Sequence, residues 1–586
     1  MNMAGVFDKA AACDPPVAAC DVLVIGSGAG ALATAVTAAH AGLSVVVAEK
    51  AAVLGGATAW SGGWLWIPMN PLAVRAGIEE DPAEPRRYLE SEIGAAAGDP
   101  RVAAFLENGP EMLRFFEENT EVAFVDGNRV PDFHATPGAA TGGRSVAAKP
   151  YDGRGLGPWM DRLRPPLDVI SLGGMGIASG ADLAHFVNAL RSGASALHVA
   201  GRFLRHGWDL ALHGRGMQLV NGNALAARLV RSALDLGVEL RVEAPAEALV
   251  REGGRVVGAR LGGATPCEVR ARRGVVLATG GFPHDAARTA ALFGHAGAHH
   301  SAAPRDCAGD GLRLAEGVGA EVATGLVHAG AWAPVSLVPR KDGTVARFPH
   351  LVERAKPGFL AVDARGRRFV NEADSYHDFM AALFRAAPEG REPEAWLIAD
   401  HAAQRRWGLG WAKPFPFPLR PAIASGYLKR GRTLAELAQA CGLEPSALEA
   451  TVARFNEGAR RGEDPDFGRG ASAYNRVQGD AAARGPNPAL GPLERGPFYA
   501  VRIVAGSLGT FAGLKTDAAA RALDGAGAPI PGLFAVGNDM STIFAGNYPS
   551  GGITLGPAMT FGYIAGRTLA GLPVTGLAAT GPDDTT

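Results

Sequence analysis

Asp21-Val-Leu-Val-Ile25 is a short apolar run rich in β-branched residues, and it stops at the glycine-rich stretch Gly26-Ser-Gly28-Ala-Gly30-Ala31. Alanine-rich sequence of helical composition continues to His40, and a second apolar run, Leu43 to Ala48, ends at Glu49. A strand, a glycine turn, a helix and a strand, with an acid about 20 residues after the turn, are typical of a dinucleotide-binding unit. The glycine motif alone is weakly specific, but this context makes a chance turn a poor explanation.

The residues of the turn have distinct physical tasks. Gly26 permits a tight turn, Gly28 lets the backbone approach a pyrophosphate, and Ala31 is small enough for the helix to pack on the strand. The unpaired N–H groups at the helix N-terminus face the phosphates. The Glu49 carboxylate then accepts a hydrogen bond from a ribose hydroxyl, although an exposed acid at the end of a strand would give the same pattern.

Composition narrows the class of protein. The 586 residues include 57 Lys and Arg against 58 Asp and Glu, which excludes a generally basic nucleic-acid binder. Hydrophobic residues make up 47%, enough for large cores, and the 80 glycines follow no collagen-like period. The five cysteines form no C-x-x-C pair and no haem-attachment motif, so neither a disulfide scaffold nor a covalent haem is expected. His284, His299 and His300 have no partners at metal-ligand spacing, so we expect no metal site.

The first 19 residues show no secretory signal and no twin arginine, so a cytoplasmic location is expected, with docking at the periphery of a membrane left open. Ala29 to Ala48 is apolar and about as long as a membrane span. Gly42 and Ser44 break it where a turn should fall, which favours a buried helix followed by a buried strand and no transmembrane segment.

Strand signals for a parallel sheet occur at both ends of the chain. They recur at Val238 to Ala248, at Gly254 to Leu261, at Gly274 to Thr279 and at Ile530 to Gly537, whereas the middle holds the amphipathic stretch Thr433 to Gly462. We therefore expect an α/β fold in which a Rossmann-like, discontinuous nucleotide-binding domain contains an inserted α+β capping domain. The expected division is an N-terminal tail 1–20, the first part of the nucleotide-binding domain 21–335, the inserted catalytic domain 336–506, the second part 507–574 and a C-terminal tail 575–586.

Several separate segments resemble one flavoprotein superfamily. Gly26 to Ala31 with Glu49, Gly55-Gly-Ala-Thr58 with Ser61-Gly-Gly63, Ala278-Thr-Gly-Gly281, Gly309-Asp-Gly311 and Gly532-Leu-Phe-Ala-Val-Gly-Asn538 are similar to the FAD-binding segments of the fumarate reductase and 3-ketosteroid dehydrogenase superfamily. Arg368 to Tyr376, Asn487 to Leu493 with Gly496 to Ala500, and Tyr548 to Ala558 resemble the ketosteroid dehydrogenase branch. The resemblance spans Asp21 to Leu572 and implies a fumarate-reductase-like fold that binds FAD noncovalently.

The dicarboxylate branch fits less well. It should show a His-Thr-x-Gly-Gly segment and a His-Gly-x-x-Arg segment, whose cationic groups bind carboxylates. The matching places read Gly509-Thr-Phe-Ala-Gly513 and Gly546-Asn-Tyr-Pro-Ser550, without those basic residues.

The resemblance implies a set of site residues. In the ketosteroid dehydrogenases, a Tyr hydroxyl and a backbone N–H hold the ketone oxygen of the substrate, and their positions match Tyr548 and Gly552. The base that takes the α-proton of the substrate matches Tyr376. A base role requires a lowered pKa or a proton relay, since an unperturbed Tyr has a pKa of about 10. The catalytic set is Tyr376, Tyr548, Gly552 and Ser550. The expected FAD-binding residues are Gly26, Gly28, Gly30, Ala31, Glu49, Lys50, Gly56, Thr58, Ser61, Gly62, Gly63, Ala246, Thr279, Gly280, Asp310, Gly537, Asn538, Thr554 and Leu555.

Two departures concern the substrate. Enzymes that introduce the steroid 1,2 double bond usually have a second Tyr where this chain has Phe133-His134, and a Gly where it has Ser550. Tyr548-Pro-Ser-Gly-Gly552 looks more like the 4-dehydrogenase branch. Both the 1-dehydrogenase and the 4-dehydrogenase type of reaction therefore stay open. Phe133, His134 and Trp66 are candidate substrate-pocket residues, and large aromatic side chains there would suit a smaller ring.

The sequence therefore predicts FAD-dependent α,β-desaturation of a cyclic ketone, in first place a 3-ketosteroid. The alternatives are a smaller ketone such as a cyclohexanone, and a fumarate-like enoate reductase; a flavin-binding subunit without turnover is a different class that the two tyrosines argue against. The expected partners are an apolar ketone and an electron acceptor that is a quinone, an electron-transfer protein or oxygen.

Overall fold

A computed structural model describes residues 17–483 and 485–577. Residues 1–16 and 578–586 of the two predicted tails lie outside the described residues. The strands, in chain order, are β1 Val17–Ile25, β2 Val45–Ala48, β3 Trp64–Trp66, β4 Phe124–Asp126, β5 Ser145–Ala148, β6 Tyr151–Asp152, β7 Gln218–Leu219, β8 Glu239–Arg241, β9 Ala246–Glu252, β10 Arg255–Leu261, β11 Cys267–Leu277, β12 His300–Ser301, β13 Gly330–Trp332, β14 Val335–Pro339, β15 Val345–Pro349, β16 Phe359–Asp363, β17 Glu394–Ala399, β18 Lys429–Gly431, β19 Phe498–Val504, β20 Gly506–Thr510, β21 Arg521–Leu523 and β22 Pro529–Ala535.

The α-helices are α1 Ala29–His40, α2 Pro71–Arg75, α3 Ala83–Ile93, α4 Pro100–Asn119, α5 Ala181–Asn188, α6 Gly193–His213, α7 Asn221–Asp235, α8 Ala286–Leu292, α9 Asp310–Glu316, α10 Tyr376–Ala386, α11 His401–Trp407, α12 Arg420–Ala424, α13 Leu434–Cys441, α14 Pro445–Arg461, α15 Ala473–Gln478 and α16 Leu555–Leu569.

The first sheet contains the dinucleotide-binding pattern. Its strands follow the order β21-β22-β11-β1-β2-β8, and β1 pairs in parallel with both β2 and β11, as β22 does with β11. Helix α1 packs against α16 so closely that a Cβ on Gly562 would lie 2.6 Å from the carbonyl oxygen of Gly30. The N-terminal and C-terminal parts of the chain thus share one sheet and one pair of packed helices beside the glycine turn.

Most predicted elements of this sheet are confirmed, with shifted ends. The helix after the glycine turn ends at His40, and β1 begins at Val17, four residues before the predicted strand. The strand region predicted from Val238 to Ala248 contains β8 and the start of β9, with Glu243 between them in a left-handed conformation with φ of 55°.

A second sheet of six antiparallel strands lies in the middle of the chain. Its order is β15-β14-β19-β17-β16, with β18 also paired to β19. Helices α13 and α14 cover one face, where Leu437, Leu448 and Phe455 pack with residues of the sheet. The amphipathic stretch from Thr433 forms two helices, because Gly442 ends the first in a left-handed conformation. These strands fall between Val335 and Val504, and the domain division at 336–506 stays a prediction.

The described residues form neither a membrane-spanning helix nor a metal-binding cluster. No helix within 17–483 or 485–577 is long and apolar enough to cross a bilayer. In the same ranges, no group of His, Cys, Asp and Glu side chains comes together as a metal-binding cluster.

Candidate active site

One cavity of about 1400 Å³ extends from the carboxyl ends of β1 and β2 to the six-stranded sheet. Every residue predicted to bind the cofactor lines it, namely Gly26, Gly28, Gly30, Ala31, Glu49, Lys50, Gly56, Thr58, Ser61, Gly62, Gly63, Ala246, Thr279, Gly280, Asp310, Gly537, Asn538, Thr554 and Leu555. Tyr376, Tyr548, Gly552 and Phe133 line the same cavity. Residues far apart in the chain therefore converge on one space, and their binding roles stay predictions.

The glycine turn has the shape that a pyrophosphate requires. Gly26 has a φ of +109°, and a Cβ there would lie 2.2 Å from the carbonyl oxygen of Ala278. At Gly28, by contrast, the nearest atom to a built Cβ is the Thr58 hydroxyl at 3.7 Å, so the backbone there faces open space. Because Gly28 leaves its backbone accessible beside the start of α1, the turn fits a dinucleotide.

A second loop closes over the start of α1. The hydroxyl of Thr58 accepts a hydrogen bond from the Ala29 N–H at 2.9 Å, and the Ser61 hydroxyl donates to the Thr58 carbonyl at 2.8 Å. Gly63 has a φ of +70°, and a Cβ there would lie 2.5 Å from the backbone of Asn221. The loop is thus held against α1 on one side and α7 on the other.

Glu49 lies at the end of β2, as the sequence predicts. It is buried, and its two carboxylate oxygens accept hydrogen bonds from the Ser27 hydroxyl at 2.6 Å and the Ala51 N–H at 2.9 Å. Burial raises the pKa of this carboxyl group. Each oxygen keeps a further lone pair, so Glu49 fits the role of acceptor for a ribose hydroxyl.

Asp539 is a buried residue of the site that the sequence did not indicate. Its carboxylate accepts hydrogen bonds from the Thr279 N–H at 2.5 Å, the Thr279 hydroxyl at 3.0 Å and the Gly281 N–H at 2.9 Å. Burial raises its pKa. Asp539 joins the turn after β11 to the turn after β22. The signal that could have found it is an acid directly after the Gly537-Asn538 pair.

Four aromatic rings that contact one another line the same cavity. The ring of Phe133 stacks on that of Tyr548 with centroids 5.7 Å apart, and Tyr376 meets Tyr548 edge to face at 5.1 Å. Tyr474 lies 4.6 Å from Phe133 and also lines the cavity. No sequence motif around Tyr474 identified it as a site residue, because it reaches the cavity only through the packing of α15.

The two predicted catalytic phenols are protonated at neutral pH. Burial raises the pKa of Tyr548 to about 12, partly offset by hydrogen bonding with Tyr376 and Thr554. Burial and the neighbouring Tyr548 raise the pKa of Tyr376 well above its ordinary value. Tyr548 is therefore a hydrogen-bond donor, and Tyr376 accepts a proton only if its own hydroxyl hydrogen passes to a neighbour.

His377, next to Tyr376, is held in its neutral form. Its Nδ1 accepts a hydrogen bond from the Trp332 N–H at 3.2 Å, and burial lowers its pKa to about 3. The ring centroid lies 5.5 Å from that of Tyr548. His377 therefore packs against the donor tyrosine as an uncharged ring.

Gly552 is fixed by the backbone of β3. It has a φ of +103°, and its carbonyl oxygen accepts a hydrogen bond from the Trp66 N–H at 3.2 Å. A Cβ at this position would lie 2.6 Å from the same nitrogen. The residue must be glycine for the chain to pass this close to β3 beside Tyr548.

Trp66 and Ser550, two of the predicted site residues, lie behind the cavity wall. Both are fully buried, and neither is among the residues that line the cavity within the described ranges. The Trp66 indole N–H donates to Asp132 at 2.8 Å, and Arg144 donates to the other oxygen of the same carboxylate at 2.6 Å. Trp66 thus supports the wall, and the catalytic role of Ser550 stays a prediction.

His134 also lies outside the cavity lining, where it bridges two carboxylates. Its Nδ1 lies 2.5 Å from Oε2 of Glu92 on α3, and its Nε2 contacts Asp378 on α10. Burial disfavours the charge, but Asp378 and Glu92 outweigh it and raise the pKa of His134 to about 10. A charged imidazolium therefore joins α3 to the helix that begins with Tyr376.

Two lysines from the segment between β15 and β18 also line the cavity. Nζ of Lys356 donates to the carbonyls of Gln478 and Gly479 at 2.5 and 2.7 Å, and Nζ of Lys413 donates to the Val169 carbonyl at 2.9 Å. Burial lowers the pKa of each to about 8. Within residues 17–483 and 485–577, neither ammonium has a carboxylate within 4.0 Å.

Comparisons with known proteins agree with this geometry. The model of the FAD binding domain family matches residues 21–555. The chain is 41% identical to 4-oxocyclohex-2-ene-1-carboxylate 5-dehydrogenase and 39% identical to 4-oxocyclohexanecarboxylate 2-dehydrogenase, both of Sinomonas cyclohexanicum, over 94% of this chain and 94% and 93% of those proteins. The solved structure of 3-ketosteroid Δ1-dehydrogenase from Sterolibacterium denitrificans in complex with 1,4-androstadiene-3,17-dione superposes with a TM-score of 0.86 at 33% identity, over 94% of this chain and 99% of the other.

Proposed function

The chain belongs to the FAD binding domain family and is an FAD-dependent oxidoreductase, and from this premise we propose that it forms a C=C bond next to the carbonyl of a cyclic ketone. The observation that supports this most is the pair Tyr376 and Tyr548, whose ring centroids lie 5.1 Å apart. Both line the cavity that also contains the dinucleotide cradle, by which we mean the glycine turn Gly26 to Ala31 and the residues packed around it. A desaturase needs a donor for the carbonyl oxygen and an acceptor for an α-proton beside its cofactor, and two facing phenols provide both.

We assign the carbonyl oxygen to the Tyr548 hydroxyl and the Gly552 N–H. As the α-proton leaves, negative charge develops on that oxygen, and Tyr548, whose pKa of about 12 keeps it protonated beforehand, has a hydrogen to donate to it. Because Gly552 is fixed by β3 and Tyr548 by the rings around it, little reorganisation accompanies the reaction. FAD, when bound, supplies the acceptor for the β-hydride.

The α-proton passes to the oxygen of Tyr376 in this proposal. Since Tyr376 is itself protonated, its own hydroxyl hydrogen moves to the oxygen of Tyr548, to which it is hydrogen-bonded, while Tyr548 gives its hydrogen to the ketone oxygen. The net change is transfer of one proton from the α-carbon to the carbonyl oxygen, which makes an enol and leaves both phenols neutral. Loss of the β-hydride, for which FAD would be the acceptor, and release of the enol proton to solvent then give the enone, two hydrogens lighter.

Among cyclic ketones, we propose a monocyclic keto acid as the substrate class, in place of the steroid first expected. Lys356 and Lys413 place two ammonium groups on the lining of a mainly apolar cavity, without carboxylate partners in the described chain. A substrate carboxylate would be such a partner, since charge-assisted hydrogen bonds to a buried ammonium are strong. The dehydrogenases of Sinomonas cyclohexanicum are named for oxocyclohexane and oxocyclohexene carboxylates.

The test is anaerobic mixing of the holoenzyme with 4-oxocyclohexanecarboxylate, cyclohexanone, a 4-ene-3-ketosteroid and succinate, with flavin absorbance as the readout. We expect the keto acid to bleach the flavin at the lowest concentration and to yield a product two mass units lighter. Bleaching by the steroid alone would keep ketone desaturation and reject the keto acid. Bleaching by none of the ketones, with reoxidation of the reduced enzyme by an enoate, would reject desaturation itself.

A further inference from the structure

Helix α6, Gly193–His213, presents its apolar residues to the outside of the molecule. Leu197 and Leu204 are each 76% exposed, Trp208 is 66% exposed and Leu212 is 58% exposed. Their spacing of seven, four and four residues places them along one face. The positions between them on that face are Gly and Ala, so the stripe contains no charged side chain.

Four polar residues of α6 face inward, whereas Arg205 and His213 are exposed. Ser195, Arg202, His206 and Asp209 are buried. Nη2 of Arg202 donates to the Gly176 carbonyl at 2.8 Å, Nε2 of His206 lies 2.9 Å from the Gly173 carbonyl, and Asp209 accepts from the Met217 N–H at 3.0 Å. These contacts fix the rotation of the helix about its axis. An ordinary surface helix has the opposite arrangement, so this one is built to keep an apolar stripe outside.

Arginine predominates among the exposed charges around the stripe, with the half-exposed acid Asp152 beside Arg205. Within 178–214 the exposed charged residues are Arg191 and Arg205, whereas the two acids, Asp182 and Asp209, are turned inward and bonded. Arg205 has only a loose contact with Asp152, at 3.4 Å with both side chains 45% exposed. An apolar face edged by arginines is complementary to apolar chains beneath an anionic surface.

We propose that the exposed stripe of α6 docks on an anionic lipid bilayer and lies in its interface. Leu197, Leu204 and Leu212 would enter the acyl region and Trp208 the headgroup boundary, where its ring is favoured. A second copy of the chain is a poorer occupant, because a two-fold pairing of this face would bring together two surfaces on which arginine predominates.

The docked face is continuous with the wall of the cavity. Helix α5 packs on α6 through stacked His185 and His198, with centroids 4.4 Å apart, and through Phe186 and Phe203 at 6.2 Å. Leu183 and other residues of α5 line the cavity. Docking would therefore set one wall of the cavity at the lipid surface, where an electron acceptor dissolved in the bilayer has a short route inward.

The experiment is sedimentation of the holoenzyme with vesicles of phosphatidylcholine, with and without phosphatidylglycerol. We expect binding that is tighter with phosphatidylglycerol. Leu204→Glu and Trp208→Glu should each lower the partition coefficient roughly tenfold, and Arg205→Gln should lower it about fivefold on anionic vesicles only. Val74→Glu, at an apolar residue of α2 that is 63% exposed, is the matched control and should bind as the unmodified protein does.

Flavin content and reduction by substrate in solution should stay unchanged in these variants, which separates docking from folding and from the proposed reaction. Quenching of Trp208 fluorescence by brominated lipid, taken as the difference from Trp208→Phe, tests the same contact without adding a charge. The proposal is wrong if the holoenzyme stays in the supernatant, or if Leu204→Glu sediments like the unmodified protein. It is also wrong if light scattering shows a dimer that Leu204→Glu dissociates.

Discussion

The imidazole of His134 is tied to the helix that begins with Tyr376, because its Nε2 lies 2.8 Å from Oδ2 of Asp378 in the first turn of α10. The same ring holds Glu92 of α3 through its other nitrogen. One charged imidazole thus fixes the position of the helix that presents the proposed base, although it does not line the cavity.

This bridge predicts a pH-dependent contribution to stability. The pKa of His134 is raised from 6.5 to about 10, so its stabilising effect is complete below pH 6.5 and is lost as the pH rises toward about 10. The difference in free energy of unfolding between the unmodified protein and His134→Gln should therefore shrink between those values. Denaturant unfolding at several pH values measures it, and a difference that grows with pH would contradict the assignment.

Removal of the Tyr548 hydroxyl should slow reduction of the flavin. Tyr548→Phe keeps the ring that stacks on Phe133 and removes one donor to the carbonyl oxygen, which costs about 10²- to 10³-fold in rate. Anaerobic stopped-flow reduction at saturating ketone measures this. Tyr563→Phe, whose hydroxyl bonds Glu111 at 3.0 Å on α4, is the matched control and should react normally. Normal reduction of Tyr548→Phe would reject the donor role.

The lysines should discriminate between charged and uncharged ketones. Lys413→Met and Lys356→Met should raise the KM for the keto acid about tenfold or more and leave that for cyclohexanone nearly unchanged, because only the first substrate has a carboxylate. Lys341→Met, on the exposed turn after β14, is the control. Equal effects on both substrates would show that the lysines serve the structure and not the carboxylate.

The pH dependence of kcat/KM tests Lys356 and Lys413 in a second way. Burial lowers the pKa of both lysines to about 8, so the free enzyme loses these charges above that pH. The groups facing them are Glu353 with Asp480 and Arg406 at Lys356, and Glu353 with Asp168 at Lys413. We expect kcat/KM for the keto acid to fall above about pH 8 while that for cyclohexanone does not.

Gly552 should not tolerate a side chain. Gly552→Ala combines a φ of +103° with a Cβ 2.6 Å from the Trp66 nitrogen, and strained backbone of this kind costs on the order of 1–3 kcal/mol before any clash is added. We expect a lower Tm and slower reduction. Gly551→Ala, where the nearest atom to the new Cβ is 3.6 Å away, is the neighbouring control in a thermal melt.

Features that depend on neighbouring residues in the sequence could be predicted, whereas contacts that depend on tertiary packing could not. The strand, turn and helix from Asp21 to His40 could be predicted, because glycine positions and apolar runs act within a few residues. Most of the other residues expected at FAD came from the resemblance of separate motifs to one flavoprotein superfamily, and they line one cavity. Tyr474 and the two lysines could not be predicted, because each reaches the site from a segment with no motif. Asp539 directly follows the Gly537-Asn538 pair, but its contacts with Thr279 and Gly281 depend on how two distant turns pack. Trp66 was expected in the substrate pocket, yet it supports Gly552 from behind, since only the pairing of β3 decides which face it occupies.

The dinucleotide cradle is assembled from the two ends of the chain. A Cβ at Gly30 would lie 3.1 Å from both the Gly537 nitrogen and the Ala558 oxygen. The packing around the start of α1 is therefore complete only when those residues are in place. A ribosome adds about 5–20 residues per second, so the roughly 500 residues between the two halves take on the order of half a minute to two minutes to make. The nascent protein must therefore spend that time with an open half-cradle, and the cofactor can be captured only once synthesis is nearly finished.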